Sequence, residues 1–351
     1  MDLRDWIMGI SKNKSDKPQC RKLMAINTAK LARQITWKSS KQTYCIGRLM
    51  ADRHLVDDFY RAYAYLRWVD DIIDETDQTD EEQNCFITRQ RKLVDDVFQG
   101  EFKGDVQPEE IILTDLVRNN PSPESGLESF IKNVFAIIEF DAQRKGRFIN
   151  GQELDWYIEC LGKAVIDGLQ YFIGNDHEYP DAANRYFAAK AAHITHLLRD
   201  TLDDIENGYI NIPTEYLEKH PFDLTDASHP DFKEYVRERV ALARKYFREG
   251  KKYIDDLTVL RCKIVGYWYC SRFEYILTTI DRDSFILRSH YGGFQKYLSI
   301  TKIIGSLITI PLCQLFSNGL QNNHNRKEEK ISKKNGRTNE RRGMAKDGWC
   351  R

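Results

Sequence analysis

The stretch that decides the fold runs from Tyr63 to Asp74 and reads YAYLRWVDDIID. Asp70 and Asp74 are four residues apart, so on a helix both carboxylates lie on one face, one turn from each other. Like charges at this spacing destabilise a helix by about 0.2–0.5 kcal/mol. The pair therefore gains nothing structurally unless a cation lies between the oxygens, and Mg²⁺ is a cation that protein carboxylates hold together with substrate phosphate.

A second acidic stretch, Leu198 to Glu206 (LRDTLDDIE), repeats this pattern with Asp200 and Asp204. Asp203 lies beside them, three residues after Asp200. Leucine and isoleucine alternate with the acids, which favours the edge of a core-facing helix over a solvated acidic surface. An inward-facing metal site in a helical bundle places its carboxylates at such an edge.

One such pair alone would favour a solvated acidic stripe. Two pairs, each with a nearby arginine (Arg67 and Arg199), favour a diphosphate site, because carboxylates, Mg²⁺ and arginine together bind diphosphate oxygens. Mn²⁺ is the expected substitute for Mg²⁺. The predicted metal ligands are Asp70, Asp71, Asp74, Asp200, Asp203 and Asp204.

Composition limits the classes of function. The chain has 351 residues, 41% of them apolar, and 53 basic residues balance 53 acidic ones. The zero net charge predicts no nucleic-acid partner. The eight cysteines form no C-x-x-C pair, and residues 1–18 contain no secretory signal, so we expect a reduced cytoplasmic compartment.

Helical periodicity predicts an all-α domain over residues 22–316. A polar segment, residues 1–21, precedes it, and a disordered polar basic tail, residues 317–351, follows it. The loop signals include 119–126, 174–180 and Asn207-Gly208, where glycine marks a helix end.

The apolar stretch 303–316 is shorter than the roughly 20 residues of a membrane span. We interpret it as a buried helix, with a helix lying on the membrane surface as the alternative. Peripheral membrane association, which the basic tail could assist, is left open on this basis.

The two acidic stretches resemble the aspartate motifs of squalene/phytoene synthases, Y-A-x-x-R-x-x-D-D-x-x-D and L-R-D-x-x-E-D-x-x-x-G-x-x-x-x-P. Ser40 to Tyr44 (SKQTY) and the following Arg48 are similar to the family's S-K-S-F-Y segment and its arginine. Asp141 and Tyr157 fall where the family has a mid-chain aspartate and a tyrosine. The resemblance implies an isoprenoid-synthase-type helical bundle around a central hydrophobic cavity.

The resemblance also implies the activity, which is Mg²⁺-dependent head-to-head condensation of two prenyl diphosphates. A phytoene-like product is slightly favoured over reduced squalene, and the product is otherwise unassigned. Tyr157 would be the acid/base, beside catalytic Asp70, Asp74, Asp200 and Asp204. The implied substrate-binding residues are Ser40, Lys41, Tyr44, Arg48, Arg67, Arg199, His193 and His196.

Several positions depart from the family pattern. His193 and His196 replace a glutamine and an asparagine, so the need for NADPH is left open. Tyr209 stands where an arginine is usual, and Lys163 stands where the family has a small apolar residue. These departures indicate a divergent member with an altered substrate or product.

Three alternatives stay open at this point. His193, His196 and Asp200 share a helical face and could hold a transition metal, but di-iron bundles need Glu-x-x-His pairs on two helices, and the sequence contains none. A terpene cyclase acting on one prenyl diphosphate would use the same metal chemistry. A non-catalytic relative would act as an assembly or binding protein, although such proteins are expected to lose motif aspartates. Substrate chain length and oligomeric state are not predicted.

Overall fold

The computed structural model of the chain describes residues 27–73, 79–101, 107–120, 125–289 and 291. Within these ranges every regular element is a helix, which confirms the predicted all-α fold. In chain order the helices are α1 (Thr28–Ser39), α2 (Lys41–Met50), α3 (Val56–Ile73), α4 (Asp80–Phe98), α5 (Pro108–Arg118), α6 (Gly126–Arg144), α7 (Gly151–Phe172), α8 (Phe187–Glu206), α9 (Thr214–Lys219), α10 (Pro230–Asp256) and α11 (Leu260–Arg282).

Local sequence signals set several helix ends. Asn150 caps α7, and its side chain and that of Glu153 satisfy each other's backbone N–H groups in a capping box. Helix α8 ends at Glu206, and Gly208 follows with φ of +86°. Glycine adopts this left-handed conformation without steric cost, so the predicted stop at Asn207-Gly208 is confirmed.

Helix α8 packs against α7, α10 and α11. Its buried face carries Ala188, Ala189, Ala191 and Ala192, whose small side chains permit close approach of a neighbouring helix. Gly250 of α10 lies against Ala188, so a Cβ added at Gly250 would be only 2.8 Å from the Cβ of Ala188. The α8 and α10 backbones are therefore held closely together at the N-terminal end of α8, on the helix that carries the second acidic stretch at its other end.

The first acidic helix, α3, packs against α1, α5 and α6. Tyr60 and Tyr65 of α3 are almost fully buried in the core of this half. The hydroxyl of Tyr65 donates to Gln90 Oε1 at 3.1 Å, so the ring is buried without leaving its polar atom unsatisfied. The two acidic helices are linked through α6 and α7, because α3 packs on α6, α6 on α7, and α7 on α8.

A backbone junction joins the loop after α6 to the loop after α8. The N–H of Gly146 donates to the carbonyl of Gly208 at 2.9 Å. Phe148 and Ile210, each two residues further along its segment, form a parallel β-bridge. This junction, residues 146–148 with 208–210, fixes the end of α6 relative to the end of α8.

Some sequence predictions lie outside the described residues. They are the polar segment 1–21, the apolar stretch 303–316, the tail 317–351 and Asp74. Among the helices that the structure describes, none combines the length and apolar character that crossing a membrane requires.

Candidate active site

The first aspartate motif lies in the last turn of α3. Arg67 Nη1 is 3.1 Å from Asp70 Oδ2, and Arg67 Nη2 contacts Asp71 Oδ1. The side chains of Asp70 and Asp71 are 43% and 50% exposed, so both carboxylates are accessible to an incoming ion. One arginine thus offsets part of the negative charge of this motif.

The second motif lies on α8 and likewise contains an arginine that contacts a motif aspartate. Arg199 contacts Asp200 through two bonds, Nε to Oδ1 at 2.5 Å and Nη2 to Oδ2 at 2.6 Å. His196 Nε2 lies 3.1 Å from Asp200 Oδ2, one turn earlier on the helix. Both motifs therefore present aspartates that are paired with an arginine from their own helix.

Asp204 lies one turn beyond Asp200, in a less accessible position. Asn211 Nδ2 donates to Asp204 Oδ2 at 2.8 Å. Burial, followed by the negative charge of Asp200, raises the pKa of Asp204 from 3.8 to about 7, and Arg144 acts in the opposite direction. Asp203, on the exposed side of the helix, adds to the repulsion. A divalent cation would relieve this accumulation of negative charge.

The donor set suits Mg²⁺, since the aspartates offer hard oxygen ligands at the edges of two helices. Within the described ranges no group of three or more His, Cys, Asp or Glu side chains is close enough to form an all-protein metal cage. Mg²⁺ sites in phosphate-handling enzymes use one or two carboxylates with water and substrate oxygens, so this observation is compatible with such a site. Convergence of Asp70 and Asp74 with Asp200 and Asp204 on shared ions stays a prediction.

Tyr157 of α7 is buried, and its hydroxyl donates to Asp141 Oδ2 at 2.9 Å. Burial, followed by the charge of Asp141, raises the pKa of Tyr157 well above its ordinary value, and Arg144 opposes the shift. Tyr157 is therefore a protonated phenol at neutral pH, with its hydrogen directed to Asp141. The two positions singled out in the middle of the chain are direct neighbours in the fold.

The predicted residues before α3 form a group around α2. Ser40 caps this helix, with its Oγ accepting from the Thr43 N–H at 3.1 Å. Burial raises the pKa of Tyr63, and the charge of Arg67 and a hydrogen bond with Ser40 oppose that rise. Ser40 is thus brought to the helix face that carries Arg67.

Three further predicted residues lie on α2 itself. Lys41 Nζ is 5.6 Å from the centre of the Trp37 ring, and Tyr44 stacks on Tyr60 with ring centres 4.9 Å apart. Arg48 is exposed. Lys41 and Arg48 are therefore accessible cations, whereas Tyr44 is held by aromatic packing.

The two histidines of α8 differ in environment. His193 Nε2 is buried and has no hydrogen-bond partner among the described residues. Burial, with a smaller effect of His196, lowers the pKa of His193 to about 3, so its imidazole is neutral. Burial, followed by the charge of Arg199, also lowers the pKa of His196, while Asp200 opposes this shift. Neutral imidazoles do not add positive charge beside Asp200.

Sequence reasoning missed two residues of the site, Arg144 and Asn211. Arg144 Nε donates to Asp141 Oδ1 at 2.6 Å, and its Nη1 donates to Asn211 Oδ1 at 2.9 Å. In sequence Arg144 belongs to a basic run typical of a solvated loop, and Asn211 precedes a turn proline by two positions. The available signal was the i, i+3 spacing of Arg144 from Asp141, which permits an ion pair on one helix.

Several solved structures share the fold of this chain. The structure of squalene synthase HpnC from Alicyclobacillus acidocaldarius is similar, with a TM-score of 0.59 and 20% identity over 74% of this chain and 95% of that one. A ligand-bound dehydrosqualene synthase gives a TM-score of 0.60 with 15% identity, covering 82% of this chain and 99% of the other. A ligand complex of TcSQS gives 0.55 with 16% identity, covering 78% and 86%. No curated protein sequence matches the chain.

These likenesses define the all-α isoprenoid-synthase fold. The model of the squalene/phytoene synthase family matches residues 37–302, and the chain belongs to that family. The resemblance read from the two aspartate motifs is thereby confirmed. The family consists of prenyltransferase-type synthases, so the chain is grouped with transferases of isoprenoid biosynthesis.

Proposed function

We propose that this protein is an Mg²⁺-dependent prenyltransferase that joins two prenyl diphosphates head to head. Membership of the squalene/phytoene synthase family supports this reaction class. The observation that carries the proposal is the repeated pairing of an arginine with motif aspartates, Arg67 with Asp70 on α3 and Arg199 with Asp200 on α8. A protein that held these acids for stability alone would gain little from two exposed or half-exposed pairs.

The pairing suggests how a substrate would bind. Guanidinium groups bind diphosphate oxygens bidentately, so Arg67 and Arg199 would exchange their aspartate partners for the substrate. The released carboxylates would be the ligands of Mg²⁺, for which Mn²⁺ could substitute. When bound, the metal supplies charge neutralisation for the leaving diphosphate.

Accessible cations on α2 would extend the diphosphate site. Lys41 and Arg48 are exposed on α2, the helix whose cap, Ser40, bonds to Tyr63 of α3. Two condensing substrates carry two diphosphate groups. Lys41 and Arg48 would offset the negative charge of the second group. His193 and His196, as neutral imidazoles, would act as polar packing and hydrogen-bonding groups beside it.

Tyr157 would contribute its ring and its protonated hydroxyl. An electron-rich ring face attracts a carbocation. Its oxygen donates its hydrogen to Asp141, so the lone pairs of that oxygen are available to stabilise positive charge. This role differs from the acid/base role that the family resemblance implies, because it needs no change in protonation during the reaction.

The test is a product analysis of the full-length protein. Fifteen-carbon and twenty-carbon prenyl diphosphates are incubated separately with Mg²⁺, with and without NADPH, and the hydrocarbon is identified by mass spectrometry. We expect a product with twice the carbon number of the substrate. A product with the substrate's carbon number would establish a terpene cyclase instead. Binding of every substrate without turnover would establish a non-catalytic relative.

A further inference from the structure

A continuous chain of hydrogen bonds connects Tyr157 of α7 to Asp204 of α8. Tyr157 donates to Asp141 at 2.9 Å, and Arg144 donates to the other oxygen of Asp141 at 2.6 Å. Arg144 then donates to Asn211 at 2.9 Å, and Asn211 donates to Asp204 at 2.8 Å. Arg144 is the central member of this chain, which we call the Arg144 relay.

The direction of every bond in the relay is fixed by chemistry. A guanidinium group has only donors, so Asn211 must turn its Oδ1 to Arg144. Its Nδ2 is then directed to Asp204. The opposite orientation of the amide would place donor against donor and acceptor against acceptor. Arg144 thus sets the orientation of the group that binds Asp204.

Packing holds Arg144 in place. Its side chain is 4% exposed. The guanidinium carbon is 5.1 Å from the ring centres of both Tyr157 and Tyr209, and 5.5 Å from that of Phe140. Three aromatic rings around one planar cation leave little rotational freedom. A buried arginine is costly unless it is paired and hydrogen-bonded, and Arg144 meets this condition through its relay partners Asp141 and Asn211.

Main-chain contacts also hold Arg144 and Asn211 in position relative to each other. The junction of residues 146–148 with 208–210 begins two residues after Arg144 and ends next to Asn211. The Asn211 carbonyl also accepts from the hydroxyl of Tyr235 at 2.8 Å. Both ends of the Arg144–Asn211 bond are therefore anchored through the main chain.

We infer that Arg144 is a positioning residue that orients Asp204 for metal–diphosphate binding and fixes Tyr157 to the same framework. This inference rests on the proposed function, because it assigns Asp204 a divalent ion. Residues that orient the ligands of a metal commonly change its affinity about 10–100-fold when they are replaced.

The experiment compares Arg144→Met, Arg144→Lys and Asn211→Ala in the full-length protein. Arg147→Met is the matched control, because Arg147 also lies over Phe140, at 5.6 Å, but is 43% exposed and paired with Glu153 outside the relay. Calorimetry measures binding of Mn²⁺ with inorganic diphosphate and no prenyl group. Diphosphate release from a prenyl substrate is measured against Mg²⁺ concentration, and a melting curve is recorded for each variant.

We expect Arg144→Met and Asn211→Ala to weaken Mn²⁺–diphosphate binding about 10–100-fold and to raise the Mg²⁺ requirement similarly. Arg144→Lys should recover part of the affinity, because it keeps the charge but loses the fork that spans two partners. Arg147→Met should stay within about twofold of the parent, as expected of an exposed pair. Asn211→Ala decides the matter if Arg144→Met does not fold, since it leaves the Arg144–Asp141 pair intact.

The outcomes separate the two proposals. Unchanged Mn²⁺–diphosphate affinity in folded Arg144→Met or Asn211→Ala, with normal binding by the parent, would overturn the positioning role and leave the proposed function standing. A parent protein that binds no Mn²⁺–diphosphate and releases no diphosphate would overturn the proposed function and this inference together.

Discussion

Arg199 engages both carboxylate oxygens of Asp200, its neighbour in sequence, at 2.5 and 2.6 Å. Adjacent residues on a helix point in different directions, so this contact requires the long arginine side chain to fold back. The guanidinium group therefore lies directly against a carboxylate that is a candidate metal ligand and is 30% exposed. A diphosphate, which offers more acceptor oxygens than one carboxylate, would compete for the same guanidinium group.

Replacing the paired aspartates should abolish the reaction without unfolding the protein. Asp70→Asn or Asp200→Asn removes a charged metal ligand, and the loss of several kcal/mol of transition-state stabilisation corresponds to a decrease of more than about 100-fold in diphosphate release. Asp57→Asn is the control, because Asp57 lies on α3 as well but pairs with Arg33. Circular dichroism should be unchanged in all three variants, and full activity in Asp70→Asn or Asp200→Asn would contradict the assignment.

Removal of divalent ions should stop turnover reversibly. Excess chelator leaves Arg67 and Arg199 paired with their aspartates, so diphosphate release should fall to background. Added Mg²⁺ or Mn²⁺ should restore it, and Ca²⁺, which is larger and prefers more ligands, should restore it poorly. Undiminished release in chelator would rule out the proposed metal dependence.

Tyr157 should act without ionising. Its pKa is raised above 10.0 by burial and by the charge of Asp141. The pH–rate profile should therefore show no limb from this phenol between about pH 7 and 10. Tyr157→Phe keeps the ring and should lose less than the roughly 100-fold typical of a removed acid–base group, whereas Tyr157→Ala should lose more. Equal losses in the two variants would indicate that the hydroxyl carries the whole effect.

Asp52 should make the fold sensitive to acid. Burial alone would raise its pKa, but the backbone N–H of Asn175 and the guanidinium of Arg261 hold it below 3.8. The Gly174 N–H adds a bond of 2.9 Å. A lowered folded-state pKa means that the ionised form stabilises the fold above about pH 4, and that this contribution is lost as the pH falls through the folded-state value.

Asp52→Asn should consequently lower the free energy of unfolding by about 2 kcal/mol at pH 7. The difference from the parent should shrink as the pH falls through the lowered folded-state pKa of Asp52, because the parent then loses the same charge. Urea denaturation at pH 7 and at a series of acidic pH values measures it. The exposed pair at Asp57 serves as the comparison, since Asp57→Asn should change stability by less than about 1 kcal/mol. A difference that is independent of pH would refute the linkage.

Gly250→Ala should destabilise the contact of α10 with α8. Alanine favours a helix over glycine by about 1 kcal/mol, but the added Cβ would lie 2.8 Å from the Cα and Cβ of Ala188. Backbone atoms cannot rotate away, so we expect a net loss of about 1–3 kcal/mol in thermal or urea unfolding. At Gly151 an added Cβ meets only a Glu215 oxygen at 4.0 Å, so Gly151→Ala should be tolerated. A stabilised Gly250→Ala variant would show that α8 and α10 can move apart.

The parts of the site that lie within single helices were predictable from sequence. Asp70 with Arg67, and Asp200 with Arg199, are separated by at most one helical turn, and helix geometry alone brings such residues together. The glycine stop at Gly208 was readable for the same reason. Family motifs added Asp141 and Tyr157 as positions of interest, but their contact became visible only in the fold.

The parts that depend on long-range packing were not predictable. The contact of Arg144 with Asn211 joins positions far apart in the chain, and no local rule indicates that one basic residue of a run is buried while Arg147 stays exposed. Desolvation of Asp204 likewise depends on how α6, α7 and α8 surround it. Spacing rules describe neighbours on one helix, whereas this candidate site is assembled from residues of several helices.

The junction of residues 146–148 with 208–210 consists of main-chain atoms. Peptide groups are the same in every sequence, apart from proline, so beyond its two positive-φ glycines, Gly146 and Gly208, the junction makes few demands on the side chains around it. Mutations can accumulate along α6 and α8, and reshape the walls that a hydrocarbon chain would touch, without shifting the two helix ends against each other. A lineage could in this way change the molecules it accepts while the aspartates at the end of α8 keep their positions relative to α6.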